Sequence, residues 1–195
     1  MTAAVKSLAG IIISVSPRAE RYTRWEVFSR DEGFAHVTVP AKMGLPFGLF
    51  DSVELMGSVK GKGFFANEIH LKIRPSGLIK NRAAFEEASR LARITGVGFG
   101  ELPDYEPIFD LFEKALEYYS TTNAQPQRVT FKALYKMLAA EGFPVKEDWL
   151  EKLPTDLQKK AVSALKAEIT SRDDFDSNLL EALMRWMIET LGVRL

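Results

Sequence analysis

Around Pro75-Ser76-Gly77 the hydrophobic period of this chain changes from two to about 3.6 residues, and that break limits the folds open to it. Before it, apolar residues alternate. "LAGIIISVS" (8–16) is a run rich in β-branched residues, and "RYTRWEVFSR" (21–30) follows a turn around Pro17. The turn "DEG" (31–33) then leads into "FAHVTVP" (34–40), where Ala35, Val37 and Val39 alternate with His36 and Thr38. A loop, "AKMGLPFGLF" (41–50), precedes "DSVELMGSVK" (51–60) and "GFFANEIHLKIRP" (63–75), which "GKG" joins as a second hairpin. Five strands in so short a span predict a small barrel, SH3-like or OB-type, and the OB-fold has five.

After the break the apolar spacing is helical. Ala84, Phe85, Ala88, Leu91 and Ile94 share one face of 81–94; Phe109, Phe112, Leu116 and Tyr119 share one of 105–120. "RVTFKALYKMLAAEG" (128–142) stops at Gly142, Thr155 and Gln158 predict a capping box for a further helix, and the segment 178–192 also ends in glycine. Five helices are expected, with a short sixth around Glu147–Leu153. The expected fold is therefore α+β: a five-stranded barrel over 1–78 and an α-helical bundle over 79–195.

Composition narrows the chemistry. The 195 residues are 46% apolar, with 13 Phe and 3 Trp, enough for a real core. There is no cysteine, which excludes disulfides, thiolate metal sites and cysteine nucleophiles. His36 and His70 are the only imidazoles, each outward by alternation and without a carboxylate or third ligand in pattern. "LAGIII" is too short for a membrane span and no signal-peptide pattern follows it, so a soluble cytoplasmic protein is expected. "GVGFG" (96–100) follows a helix, not a strand, and reads as a helix stop; "RDDFDSN" (172–178) lacks the EF-hand spacing and reads as a cap for the last helix. No catalytic, metal or cofactor pattern is present, so a non-enzymatic role is expected.

The net charge of zero is unevenly spread. Residues 1–80 carry 11 Lys/Arg against 7 Asp/Glu, and residues 81–195 carry 15 against 19. On the second strand Trp25 and Val27 alternate inward, which leaves Tyr22, Arg24, Glu26 and Arg30 outward and Phe28 undecided. On the fifth, Ile69, Leu71 and Ile73 are expected inward, with His70, Lys72 and Arg74 outside; the hairpin adds Lys60, Lys62 and Phe64. Basic residues follow phosphates and exposed aromatics stack on bases, but a solvated strand face guarded by charges has the same pattern. The pattern leaves both readings open.

"IIISVSPRAERYTRWEVFSRDEGFAHVTVPAKMG" (11–44) resembles the N-terminal segment of RecO-type recombination mediators. The family's features fall on Glu20, Phe28-Ser29, Asp31-Glu32-Gly33 and Ala41-Lys42-Met43-Gly44. "LFDSVELMGSVKGKGFFANEI" (49–69) resembles its next hairpin. "LYKMLAAEGFPV" (134–145) resembles its helix running into Gly-Phe/Tyr-Pro, and "LMRWMIETLGVRL" (183–195) its final helix. The chain departs from the family in having no four-cysteine zinc module after "GFPV", and only Lys42 is basic between residues 31 and 59.

The resemblance implies an OB-fold that binds single-stranded and double-stranded DNA, fused to a helical domain. It implies annealing of complementary strands, loading of the RecA recombinase, and work with RecR and single-stranded-DNA-binding protein. Arg21, Arg24, Arg30, Lys42, Lys60, Lys62, Lys72 and Arg74 are the candidate phosphate contacts, with Tyr22 and Phe64 stacking on bases. Lys132 and Lys136, one helical turn apart beside Leu134 and Met137, are the candidates for docking the acidic tail of single-stranded-DNA-binding protein. The alternative is a protein–protein adaptor of the same architecture that binds no DNA.

Overall fold

A computed structural model of the chain describes residues 5–19, 21–61, 63–121, 124–171 and 173–192, and for 17–19, 60 and 191 the backbone alone. Two compact units emerge: one holds the residues up to Pro75 together with Gly100–Phe109, the other Ser76–Phe99 and the residues from Asp110 onward.

The first unit is a closed barrel of β1 (Lys6–Ala19), β2 (Tyr22–Ser29), β3 (Gly33–Pro40), β4 (Ser52–Lys60) and β5 (Gly63–Ile73), in the order β1-β2-β3-β5-β4. All neighbours are antiparallel except β3 and β5, which close the barrel through two parallel pairs, Val37 with Phe64 and Thr38 with Phe65. This is the OB-type arrangement. β1 is long because it serves two partners: its first half pairs with β4 and its second with β2. The alternation of β2 is as the sequence predicts. Trp25 and Val27 join Ile12, Val37, Val53 and Leu55 in the interior.

Two glycines permit the tight coiling. A Cβ on Gly10 would lie 2.4 Å from the Phe28 carbonyl oxygen, and one on Gly57 would lie 2.0 Å from that of Phe65. At Gly57 the ladder also shifts: Met56 faces Glu68 and Gly57 faces Ala66, leaving Asn67 as the extra residue of a bulge. A third glycine, Gly33, takes φ +66° in the β2–β3 turn.

β5 departs from the expected alternation. Ile69 is half-buried, while Leu71 is 43% and Ile73 61% exposed. Beyond Phe65 the strand pairs with β4 alone, and a second register shift falls between its pairs to Ser52 and Val53. Its far half thus runs past the closed part of the barrel, where no opposing strand covers an inward side chain. Phe28, undecided by sequence, is fully buried on the outside of the barrel. It stacks on its cross-strand partner Phe34 (4.4 Å between centroids, 3° between planes) and meets Phe109 at 5.3 Å.

The second unit is helical: α2 (Ser76–Lys80), α3 (Arg82–Gly98), α4 (Glu106–Tyr119) from Asp110 on, α5 (Pro126–Ala140), α6 (Val145–Asp148), α7 (Thr155–Lys166) and α8 (Asn178–Leu191). One more short helix, α1 (Ala41–Gly44), belongs to the barrel unit. The five long helices are those expected, and the short sixth is α6 with the 3-10 turn Leu150–Lys152. α5 is central, packing on α3, α6, α7 and α8, and buries Phe131, Leu134, Met137 and Leu138. Thr130 ties the core together. Its hydroxyl donates to Glu87 (2.8 Å) and therefore accepts from the Tyr119 hydroxyl (2.7 Å), whose burial pushes the phenol above the usual tyrosine range.

Several helix ends follow sequence signals, and others do not. Asn81 caps α3 through the Ala84 N–H (3.2 Å), and Gly142 and Gly192 take φ +75° and +66° after α5 and α8. The capping box at Thr155 does not form. Pro154 is the N-cap and Thr155 already the first helical residue, so its hydroxyl is one position too late to cap. Among the described residues no helix is long and apolar enough to cross a membrane.

Candidate nucleic-acid interface and a lysine-lined cavity

Arg21 and the first residues of β2 lie beside the end of β3 and the start of α1. Tyr22 pairs with Pro40 and Arg24 with Thr38, and the Ala41 N–H donates to the Arg21 carbonyl at 2.9 Å. α1 sits with Gly44 toward the barrel, where a Cβ would come within 3.1 Å of the Trp25 ring and 3.3 Å of the Thr23 hydroxyl. Lys42 is therefore left exposed beside the β1–β2 turn. Arg21, Arg24 and Lys42, three exposed cations, and the exposed Tyr22 thus all stand near one end of β2 and β3. Among the described residues nothing engages the side chains of these cations. Leu45, which follows Gly44, is 82% exposed.

The other predicted contacts are committed elsewhere. Arg30 pairs with Glu106 (3.3 Å) and lies over the Phe109 ring at 5.0 Å, within its own unit. Lys72 is neutralised by Glu54 at 2.6 Å, and its hydrogen bond and charge hold the Glu54 carboxyl below the usual range. Arg74 grips the fully buried Asp51 through two bonds (3.0 and 2.7 Å) and the Pro46 carbonyl through a third (2.6 Å). That fork fastens the α1–β4 loop to the end of β5. Phe64 corrects the sequence reading outright: it is 7% exposed and belongs to the core, because its partner on β3 is the fully buried Val37. The Lys60 side chain and Lys62 lie outside the described residues.

In the helical unit, Arg128, Lys132 and Lys136 form a column four residues apart along α5. The first two are not surface residues. Arg128 is 2% exposed and donates to the carbonyls of Glu168, Ser171 and Asp173; Lys132 is 7% exposed and donates to the carbonyl of Ala167. Both cations thus satisfy the carbonyls at the negative end of α7 and just beyond it. Burial, and then the neighbouring Lys136 and Arg128, hold the Lys132 ammonium below the usual lysine range.

Lys132 nonetheless lines a cavity of about 380 Å³ with Lys136, Lys114, Tyr118, Leu111 and Glu168. Leu134 and Met137, expected to flank the site, are fully buried because they lie on the core face of α5. Lys114 was not foreseen. It stands on α4, and only the packing of α4 against α5 could reveal it. Compared with known proteins, the sequence matches no family model and no curated relative.

Proposed function

We propose that the barrel unit binds single-stranded DNA through Arg21, Arg24 and Lys42, with Tyr22 as a stacking platform, and that the chain is a non-enzymatic mediator of recombination of the RecO type. One observation carries this reading: three exposed cations whose side chains are unengaged among the described residues, and an exposed tyrosine, stand near one end of β2 and β3 on an OB-type barrel. The sequence resemblance supports the wider role, in which the protein anneals strands and loads RecA together with RecR and single-stranded-DNA-binding protein.

Three phosphate contacts set the expected salt dependence. Affinity for a labelled oligonucleotide should fall with salt at a log–log slope of about −2. Arg21→Glu with Arg24→Glu should weaken binding across all sequences, because backbone contacts carry no base code. Lys72→Gln should leave affinity unchanged, since Glu54 already neutralises that lysine. Wild-type affinity in the double variant would refute this placement of the interface.

The lysine-lined cavity favours a second reading in which the helical unit docks an acidic peptide, as an adaptor or alongside DNA binding. Lys114 and Lys136, both exposed and unengaged among the described residues, would meet the peptide's carboxylates, with Lys132 behind them. Lys114→Glu with Lys136→Glu should abolish binding of an acidic C-terminal peptide in a fluorescence titration while preserving the melting temperature. Retained peptide affinity would place the docking site elsewhere.

A further inference from the structure

The most exposed large apolar side chain among the described residues is Leu45, at 82%. A single exposed leucine is ordinary. What distinguishes this one is that its neighbours on both sides are anchored. Gly44 is seated against Trp25 and Thr23, and the Pro46 carbonyl is held by Arg74. Past Pro46 the loop is fixed again: Phe47 and Leu49 pack on the barrel core, Phe50 is buried, and Asp51 accepts from Arg74 and from the Gly48 N–H at 3.0 Å. This loop holds Leu45 away from the surface, so the stabilisation its burial would give is left unrealised.

Leu45 also follows Lys42 by three residues along a helical backbone, which puts the two side chains on neighbouring parts of one face. It therefore stands beside Lys42, on the short helix whose first N–H binds the Arg21 carbonyl. A fixed apolar side chain projecting next to a cation assigned above to a phosphate has the composition of a wedge that enters between base steps and unstacks them.

We infer that Leu45 is such a wedge, inserted at the junction between single-stranded and duplex DNA while the neighbouring cations hold the backbone. The inference rests on the DNA-binding reading above and specifies what that interface does to its substrate. No covalent step is involved; the stacking lost between two bases is replaced by contact with the leucine side chain and Tyr22.

The test uses the full chain and a hairpin oligonucleotide carrying a single-stranded tail, with 2-aminopurine at the last base pair before the tail. Binding is followed by anisotropy and unstacking by 2-aminopurine fluorescence. The wild type should raise the fluorescence on binding. Leu45→Ala should remove most of that rise while its affinity for a fully single-stranded oligonucleotide stays within about twofold, because phosphate contacts supply most of the affinity. Leu45→Phe should restore the rise. Wild-type binding without a rise, or an undiminished rise with Leu45→Ala, overturns the wedge and leaves the interface standing. Failure of the wild type to bind any oligonucleotide at low salt overturns both.

Discussion

Gly57→Val is expected to open the barrel. The added Cβ would lie 2.0 Å from the Phe65 carbonyl oxygen and 2.8 Å from the Phe64 ring, inside any contact distance. Relief requires β5 to move away from β4. The residues it would carry with it, Phe64 and Phe65, make both pairs that join β5 to β3 and close the barrel. Overpacking that side chains can absorb costs about 1–3 kcal/mol; here the obstacle is backbone, so the loss should exceed about 3 kcal/mol. For a chain of this size that lowers the melting temperature by about 10 °C, with loss of the near-ultraviolet signal of the buried Trp25. Gly48→Ala is the control, because nothing lies within 4 Å of its Cβ position, and it should change stability by less than about 0.5 kcal/mol. A Gly57→Val protein melting with the wild type would show that the two strands do not approach this closely.

Arg128→Ala should have the second large effect. The guanidinium is buried, has no carboxylate partner among the described residues, and spends its Nη groups on three carbonyls between Glu168 and Asp173. Removing it leaves those carbonyls short of donors and a void beside α7. Charge-assisted bonds of this kind are worth about 1.5–3 kcal/mol each and are not additive, so a loss of about 3–5 kcal/mol is expected in urea denaturation. Limited proteolysis should then cut first between Glu168 and Asp173. Arg128→Lys should recover little, since an ammonium cannot reproduce the planar fork. Wild-type stability and an intact 168–173 segment in Arg128→Ala would mean that this arginine is not what fastens the segment.

The cation stripe of α5 illustrates how far sequence reasoning reaches. The four-residue spacing correctly places Lys132 and Lys136 on one face, and in the structure Arg128 extends the stripe by one turn. The spacing cannot say that the carbonyls ending α7 would cover Arg128 and Lys132, because that depends on a helix some thirty residues later. The same limit separates the basic residues of the barrel. Arg24 on β2 and Arg30 just past its end look alike in sequence, yet Arg30 is engaged by Glu106 and Phe109 while the Arg24 side chain has no partner among the described residues. Lys72 and Arg74 are similarly taken by Glu54 and Asp51, both more than fifteen residues away in sequence.

By itself the sequence determined the change from strand to helix near Pro75, the five strands and their hairpins, the inward placement of Trp25 and Val27, and the glycines that end α5 and α8. Each of these follows from local periodicity, turn chemistry or a left-handed backbone position, which neighbouring residues suffice to specify. Only the tertiary structure decided that Phe64 is core, that Leu71 and Ile73 are exposed, and that, of the expected phosphate contacts, Arg21, Arg24 and Lys42 have side chains with no partner among the described residues. Those outcomes depend on which strand closes against which and where the closure stops. Pairing between distant segments sets them, and no local pattern encodes it.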